Sequence, residues 1–171
     1  TANAAGGQAL LAIAAAEMAR QGLDAAGILA RLEPLRARTH TWATTRDISH
    51  AVRGGRIPRW GKPLVQALYL SPVAKVKPEG RLSLAGGMFG KSNIPARFAA
   101  YVARRLDHGK RWRVVVGHCD AHADGVEALQ AMRALLDCEQ GWLVETGPAV
   151  GAHAGPGAIV ISVQALDDAD A

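Results

Sequence analysis

The sequence predicts an α/β fold, a mixed sheet with helices packed on it, and three observations carry that expectation. Strand-like and helix-like segments alternate along most of the 171 residues. Hydrophobic residues make up 49% of the chain, enough for one substantial core. Only 5% are aromatic while alanine abounds, so that core must come from Ala, Leu and Val at close backbone approach, which suits helices lying on a sheet.

The elements follow in order. GQALLAIAAAEMAR, Gly7 to Arg20, sets Leu10, Leu11, Ala14 and Met18 at helical steps, and Gly22 stops the helix. A second helix is expected from about Ala25 to Ala37, with Asp24 as its N-cap and Leu29, Leu32 and Leu35 facing inward. After Thr39 the pattern turns β-rich (THTWATT), placing a boundary near residue 40. A short helix from Asp47 to Arg53, a Gly-Gly turn and a helix from Pro63 to Tyr69 come next. SPVAKVKPEGRLSLAGG reads as two strands about a Pro78-Glu79-Gly80 turn, and Pro95 opens a helix reaching Leu106. RWRVVVGHC is the clearest strand; a helix from about Gly125 to Asp137 and the strands GWLVETG and GAIVISVQA complete the series.

Charge and composition narrow the function. Cys119 and Cys138 are too few for a disulfide framework, and with no leader pattern the expectation is a cytoplasmic protein. The apolar run at Ala9 to Ala16 falls far short of the roughly 20 residues of a membrane span. Of the 20 Lys and Arg, 18 fall between Arg31 and Arg113 against 4 of the 15 Asp and Glu. These cations have few aromatics between them for base stacking, so a solvated face ranks first, an acidic protein partner or anionic membrane surface second, and nucleic acid third.

The stretch ETGPAVGAHAGPGA, Glu145 to Ala158, concentrates the chemistry. Gly147, Gly151, Gly155 and Gly157 surround His153 in an expected loop, where glycines permit positive φ and exposed amides form an anion nest. Within GAHAGPG, Gly151 to Gly157, His153 is the only sizeable polar side chain, and it can change charge near neutral pH. The other constellations are weaker. His118-Cys119-Asp120-Ala121-His122 has zinc-ligand residue types but follows a strand, with no second Cys/His pair nearby, and reads as a turn rather than a metal site. No GxSxG elbow, SxxK motif or P-loop supports a hydrolase or nucleotide enzyme, and no cofactor is called for.

That glycine-histidine stretch is similar to the C-terminal signature of the DegV family, a bacterial lipid-binding family of EDD-type fold. GGQALLAIAAAEMARQG resembles the helix after the family's ligand-binding serine loop, VRGGRI its Gly-Gly-Arg-Ile turn, and LYLSPVAKV the strand that follows. VVVGHCDAHAD occupies the place of a strand ending in His, so the match covers nearly the whole chain. The resemblance implies two α/β lobes, with residues 1–40 as the helical remainder of the N-terminal lobe and 41–171 as the C-terminal α/β lobe. It implies a long-chain fatty acid in an apolar tunnel between helices and sheet, its carboxylate presented to a partner fatty acid kinase for phospholipid synthesis. The chain itself would then catalyse nothing; the alternative is a lipid-sensing lobe of a kinase or regulator.

Residue by residue, His153, the amides about Gly151, Gly155 and Gly157, and Arg56 are the candidates to hold the carboxylate. The family's serine falls on Ala5, so Asn3 or a water must substitute for the missing hydroxyl. The family's threonine would come from a preceding lobe. A basic cluster that could meet the kinase is reduced to Lys91 and Arg97.

Overall fold

The computed structural model describes residues 1–55, 63, 65 and 67–166, and the expected position of Arg56 lies outside them. Helix α1 (Ala5–Arg20) buries Leu10, Leu11, Ala14 and Met18, the stripe the spacing predicts. It ends at Gly22, whose φ of 87° only glycine adopts at little cost. Helix α2 (Ala25–Ala37) is capped as expected, the Asp24 carboxylate accepting from the Gly27 N–H at 2.8 Å. One inward position is corrected: Leu29 is 69% exposed. Ile28, Leu32 and Leu35, spaced by four and three, pack on Leu11, Ala14 and Met18 of α1, and Leu29 lies one residue off that stripe.

Among the described residues six strands form one sheet: β1 (Thr39–Thr44), β2 (Leu70–Val76), β3 (Leu82–Phe89), β4 (Arg111–His118), β5 (Asp137–Glu145) and β6 (Ile159–Leu166). Their order is β3-β2-β1-β6-β4-β5. Every pair is antiparallel except β4–β5, which the α5 crossover (His122–Leu135) makes parallel, so the sheet is mixed as predicted. Between them lie α3 (Ser49–Arg53), α4 (Ile94–Ala103) and α6 (Pro148–Ala154).

Strand alternation gives the sheet two different faces. Trp112, Val114 and Val116 of β4 and Ile159, Ile161 and Val163 of β6 face α4 and α5, closing over Phe98, Val102 and Met132. The alternate residues, Arg113, Val115, Ser162 and Gln164, face the side where α1 lies; a Cβ on Gly6 would meet Val115 at 2.7 Å. Residues 5–37 thus pack onto the sheet formed by 39–166.

Boundaries shift where pairing outranks local pattern. Strand β5 begins at Asp137 rather than Gly141, because Arg111↔Asp137 and Trp112↔Cys138 extend the β4 ladder ahead of a bulge. Helix α5 begins at His122, three residues early, after Asp120 turns the chain at a φ of 46°. Of the expected helix from Pro63 to Tyr69, residues 63, 65 and 67 are helical and Leu68 and Tyr69 form a turn; the rest falls outside the described residues. The glycine-rich segment is corrected most: Pro148–Ala154, read as a loop, is helix α6, with Gly147 at its N-cap and Pro148 in its first turn. Among the described residues no helix is long and apolar enough to cross a membrane.

Candidate ligand-binding site

One end of the sheet gathers most of the predicted polar residues. There β4 ends at His118, paired with Ile159 where β6 begins, and the chain folds back three times. The Cys119 N–H donates to the Ala158 carbonyl at 3.0 Å, the Gly157 N–H to the Cys119 carbonyl at 2.8 Å, and the Thr146 N–H to the His118 carbonyl at 2.8 Å. These bonds hold both ends of α6 against the strand tips. Gly155 and Gly157 take the expected positive φ, 76° and 81°, whereas Gly151 lies inside α6 with open space where a Cβ would sit.

His153 is an exposed residue of α6 whose ring packs on α3. A Cβ on Gly54, just past α3, would come 2.8 Å from its Nδ1. The contact is reciprocated: the His50 ring of α3 covers Gly155, just past α6, where a Cβ would meet Cδ2 at 2.6 Å. Each short helix therefore lays a histidine over the other's terminal glycine, and neither glycine has room for a methyl group. His50 was not legible as part of this arrangement, because 103 positions separate it from its partner helix residue His153 in sequence.

Beside this clamp, at the ends of β1, β2 and β3, lies a cleft of about 480 Å³ lined by Arg46, Val65, Tyr69, Leu70, Ser71, Gly90, Lys91 and Ile94. Lys91 Nζ stands 3.8 Å over the Tyr69 ring, and Arg46 pairs with Asp124 of α5 at 3.1 Å. Tyr69 holds a φ of 46°, strained for a non-glycine residue, at the lip of the cleft. Arg97 stays outside the lining, donating to the Ser92 carbonyl at 3.4 Å. Arg46 carries no motif, and Tyr69 and Ser71 belong to LYLSPVAKV, which marks a strand rather than a site; the fold brings all three to Lys91.

Asn3 and Ala5 sit elsewhere, over the middle of the sheet. Thr41 donates to Asn3 Oδ1 at 2.7 Å, and its oxygen lies 2.9 Å from Ser162 Oγ, which must then be the donor. Asn3 Oδ1 also accepts from the Ala4 N–H, and its amide donates to the Thr39 carbonyl, so its side chain pins the start of α1 to β1. Ala5 has a φ of 47°, again strained, and offers no hydroxyl. Ser162 and Ile159 are three residues apart on β6, so about 10 Å of strand separates this network from the end that carries α6.

His118 and His122 meet edge to face with ring centroids 5.5 Å apart, and the Ala121 N–H donates to His118 Nδ1 at 3.4 Å. Among the described residues no group of three or more His, Cys, Asp or Glu could hold a metal ion. Between the sheet and helices α4 and α5 lie Trp42, Phe98, Met132 and Ile161, each fully buried.

Fold and site define a class, an α/β lobe with an amphipathic cleft and a histidine-bearing helix at one end of a mixed sheet. The chain belongs to the DegV family: residues 1–166 match the model described as "Uncharacterised protein, DegV family". A DegV domain-containing protein of Clostridium perfringens is 25% identical over 154 residues, 90% of this chain and 54% of the relative. A Thermotoga maritima structure named for a fatty acid binding function superposes with a TM-score of 0.80 at 21% identity, over 95% of this chain and 56% of that one. A Thermus thermophilus DegV family protein described by its fatty acid binding gives 0.76 at 26% identity, over 94% and 57%. The chain thus spans about half the length of the relatives it matches.

Proposed function

We propose that this chain is the larger part of a fatty-acid-binding protein that holds one acyl chain and presents its carboxylate, without catalysing a reaction itself. The cleft beside Lys91 carries the reading. Val65, Leu70 and Ile94 offer it an apolar wall, and Arg46 and Ser71 a polar one, as a long amphiphile with one carboxylate requires. Support also comes from relatives of the same fold that are named for fatty acid binding, one of them with stearic acid.

Burying an acyl chain contributes about 0.8 kcal/mol per CH₂, so a sixteen-carbon tail supplies on the order of 10 kcal/mol before ordering costs. Affinity then comes from the tail and orientation from the head. In this reading His153 and Arg56 meet the carboxylate together with polar groups of a preceding lobe, because the Gly155 and Gly157 amides, expected to form a nest, already donate to the Gly151 and Cys119 carbonyls. Lys91 and Arg97 remain for a partner fatty acid kinase, which would perform the phosphoryl transfer. The basic middle of the chain favours peripheral contact with an anionic membrane or acidic partner over nucleic acid.

Extraction of the purified protein followed by mass spectrometry tests the reading: one fatty acid per protein is expected, and an empty or non-lipid extract refutes it. His153→Ala then separates the roles. Lost acyl phosphate formation with lipid retained assigns His153 to the transfer step, whereas lost lipid alone assigns it to the pocket. A folded variant unchanged in both removes His153 from the site.

A further inference from the structure

Helices α3 and α6 bury none of their own residues, so the core does not fix the orientation of either. They differ in how they are held. The residue before α3, Ile48, is 1% exposed, and the Ser49 N–H donates to Asp47 Oδ1 at 2.8 Å, which anchors α3 at its start. Helix α6 is tied at its flanks, by the main-chain bonds of Thr146 and Gly157 to the tip of β4. Its seven residues are too few to hold a helix by propensity, and among the described residues there is open space beside Gly147 and Gly151. A short bridge held at its two ends rolls about its axis unless a neighbour stops it, and α3 is that neighbour.

The adjoining glycines Gly54 and Gly55 show what α3 does for His153. Gly55 has a φ of 72°, and among the described residues a Cβ there would meet open space, so its backbone conformation is what calls for glycine. Gly54 is the opposite case. Its φ of −77° and ψ of 1° are those of an ordinary turn residue, yet a Cβ there would stand 2.8 Å from His153 Nδ1, with the His50 carbonyl next at 3.3 Å. The imidazole, rather than the backbone angles, asks for a glycine at 54. On the other side of the clamp the His50 ring fills the space over Gly155, 2.6 Å from where a Cβ would sit.

We propose that Gly54 and His50 are positioning residues that set the direction in which His153 points. Gly54 leaves a slot for the Nδ1 edge of the imidazole, which makes Nε2 the nitrogen farther from α3's end and the one turned to a ligand; His50, lying over Gly155, stops α6 from rolling. The assignment rests on the reading of His153 as a ligand of the acyl head group. A ring already held in its binding direction has little rotamer freedom left to lose when the carboxylate arrives, so the clamp contributes affinity although neither Gly54 nor His50 touches the ligand.

Binding of palmitate labelled with carbon-13 at its carboxyl, followed by NMR together with the His153 ring signals, tests the proposal. Gly54→Ala and His50→Ala are expected to stay folded by their melting curves, to move the His153 signals and the bound carboxyl signal, and to weaken palmitate by about tenfold. His50→Phe, which keeps a ring over Gly155, should restore both signals and affinity. In a His153→Ala background Gly54→Ala should have no further effect, since it acts through the imidazole. His153 signals unchanged in folded Gly54→Ala and His50→Ala overturn the positioning, as does an equal loss of affinity from Gly54→Ala in the His153→Ala background. If the ring moves while palmitate binds unaltered in Gly54→Ala and in His153→Ala alike, the clamp stands and the head-group reading of His153 fails instead.

Discussion

The two faces of the sheet are built from the same strands and differ in kind. Toward α4 and α5, strands β4 and β6 present Trp112, Val114, Val116, Ile159, Ile161 and Val163, an unbroken apolar layer. Toward α1 they present Arg113, Val115, Ser162 and Gln164, joined by Thr39 and Thr41 of β1, so that buried hydrogen bonds replace apolar packing. A one-residue alternation separates a face that supplies stability from one that fixes how a helix lies. Packing energy should therefore dominate the first face, and hydrogen bonding and close approach the second.

The comparison is most exposed at Phe98, fully buried in the apolar layer. Phe98→Ala should cost about 3–5 kcal/mol in chemical denaturation, and a smaller loss than that of any polar-face variant would break the contrast. On the α1 face, Gly6→Val should cost about 1–3 kcal/mol, because even its Cβ would press on Val115. Thr41→Val keeps the shape but strands Ser162 and removes one donor from Asn3, an expected loss of about 1–2 kcal/mol by the same measurement.

His40 sharpens the contrast through pH. Burial, with Lys75 adding to it, holds its imidazole below the ordinary 6.5. The unfolded chain then takes up this proton at higher pH than the folded protein, so its contribution is complete above pH 6.5 and is lost as pH falls. The slope should stay under about 1.4 kcal/mol per pH unit, and His40→Phe should flatten it; an unchanged profile would place the titration elsewhere. Leu29→Ala, outside both faces, should change stability by less than about 0.5 kcal/mol, a null readable in the same melts.

The elements that carry a period were legible. The α1 stripe, the Asp24 cap and the strands β4 and β6 stand where their residues alone put them, because amphipathic spacing and capping are local. What tertiary pairing decides was not. Asp137-Cys-Glu-Gln has no strand signature yet joins β5 because β4 offers it a ladder. GPAVGAHA reads as a ligand-binding loop, but a Pro in the first turn and contact with α3 make it helical. The cleft residues Arg46, Ser71 and Lys91 come from three loops or strand ends and share no motif; LYLSPVAKV marks Ser71 as part of a strand, so the sequence names only Lys91 as a site residue.

Strand β6 sits at the centre of the sheet and is also the last of the six to be synthesised, which matters to the chain while it is still on the ribosome. Its neighbours β1 and β4 touch one another only through it, leaving β3-β2-β1 and β4-β5 as two half-sheets until it arrives. Translation proceeds at about 5–20 residues per second, so β1 waits on the order of ten seconds for its partner. Throughout that interval β1 and β4 both offer bare edges, and the Val-Val-Val run of β4 is the stickier of the two. A chaperone that covers such edges on nascent chains would have its natural client here.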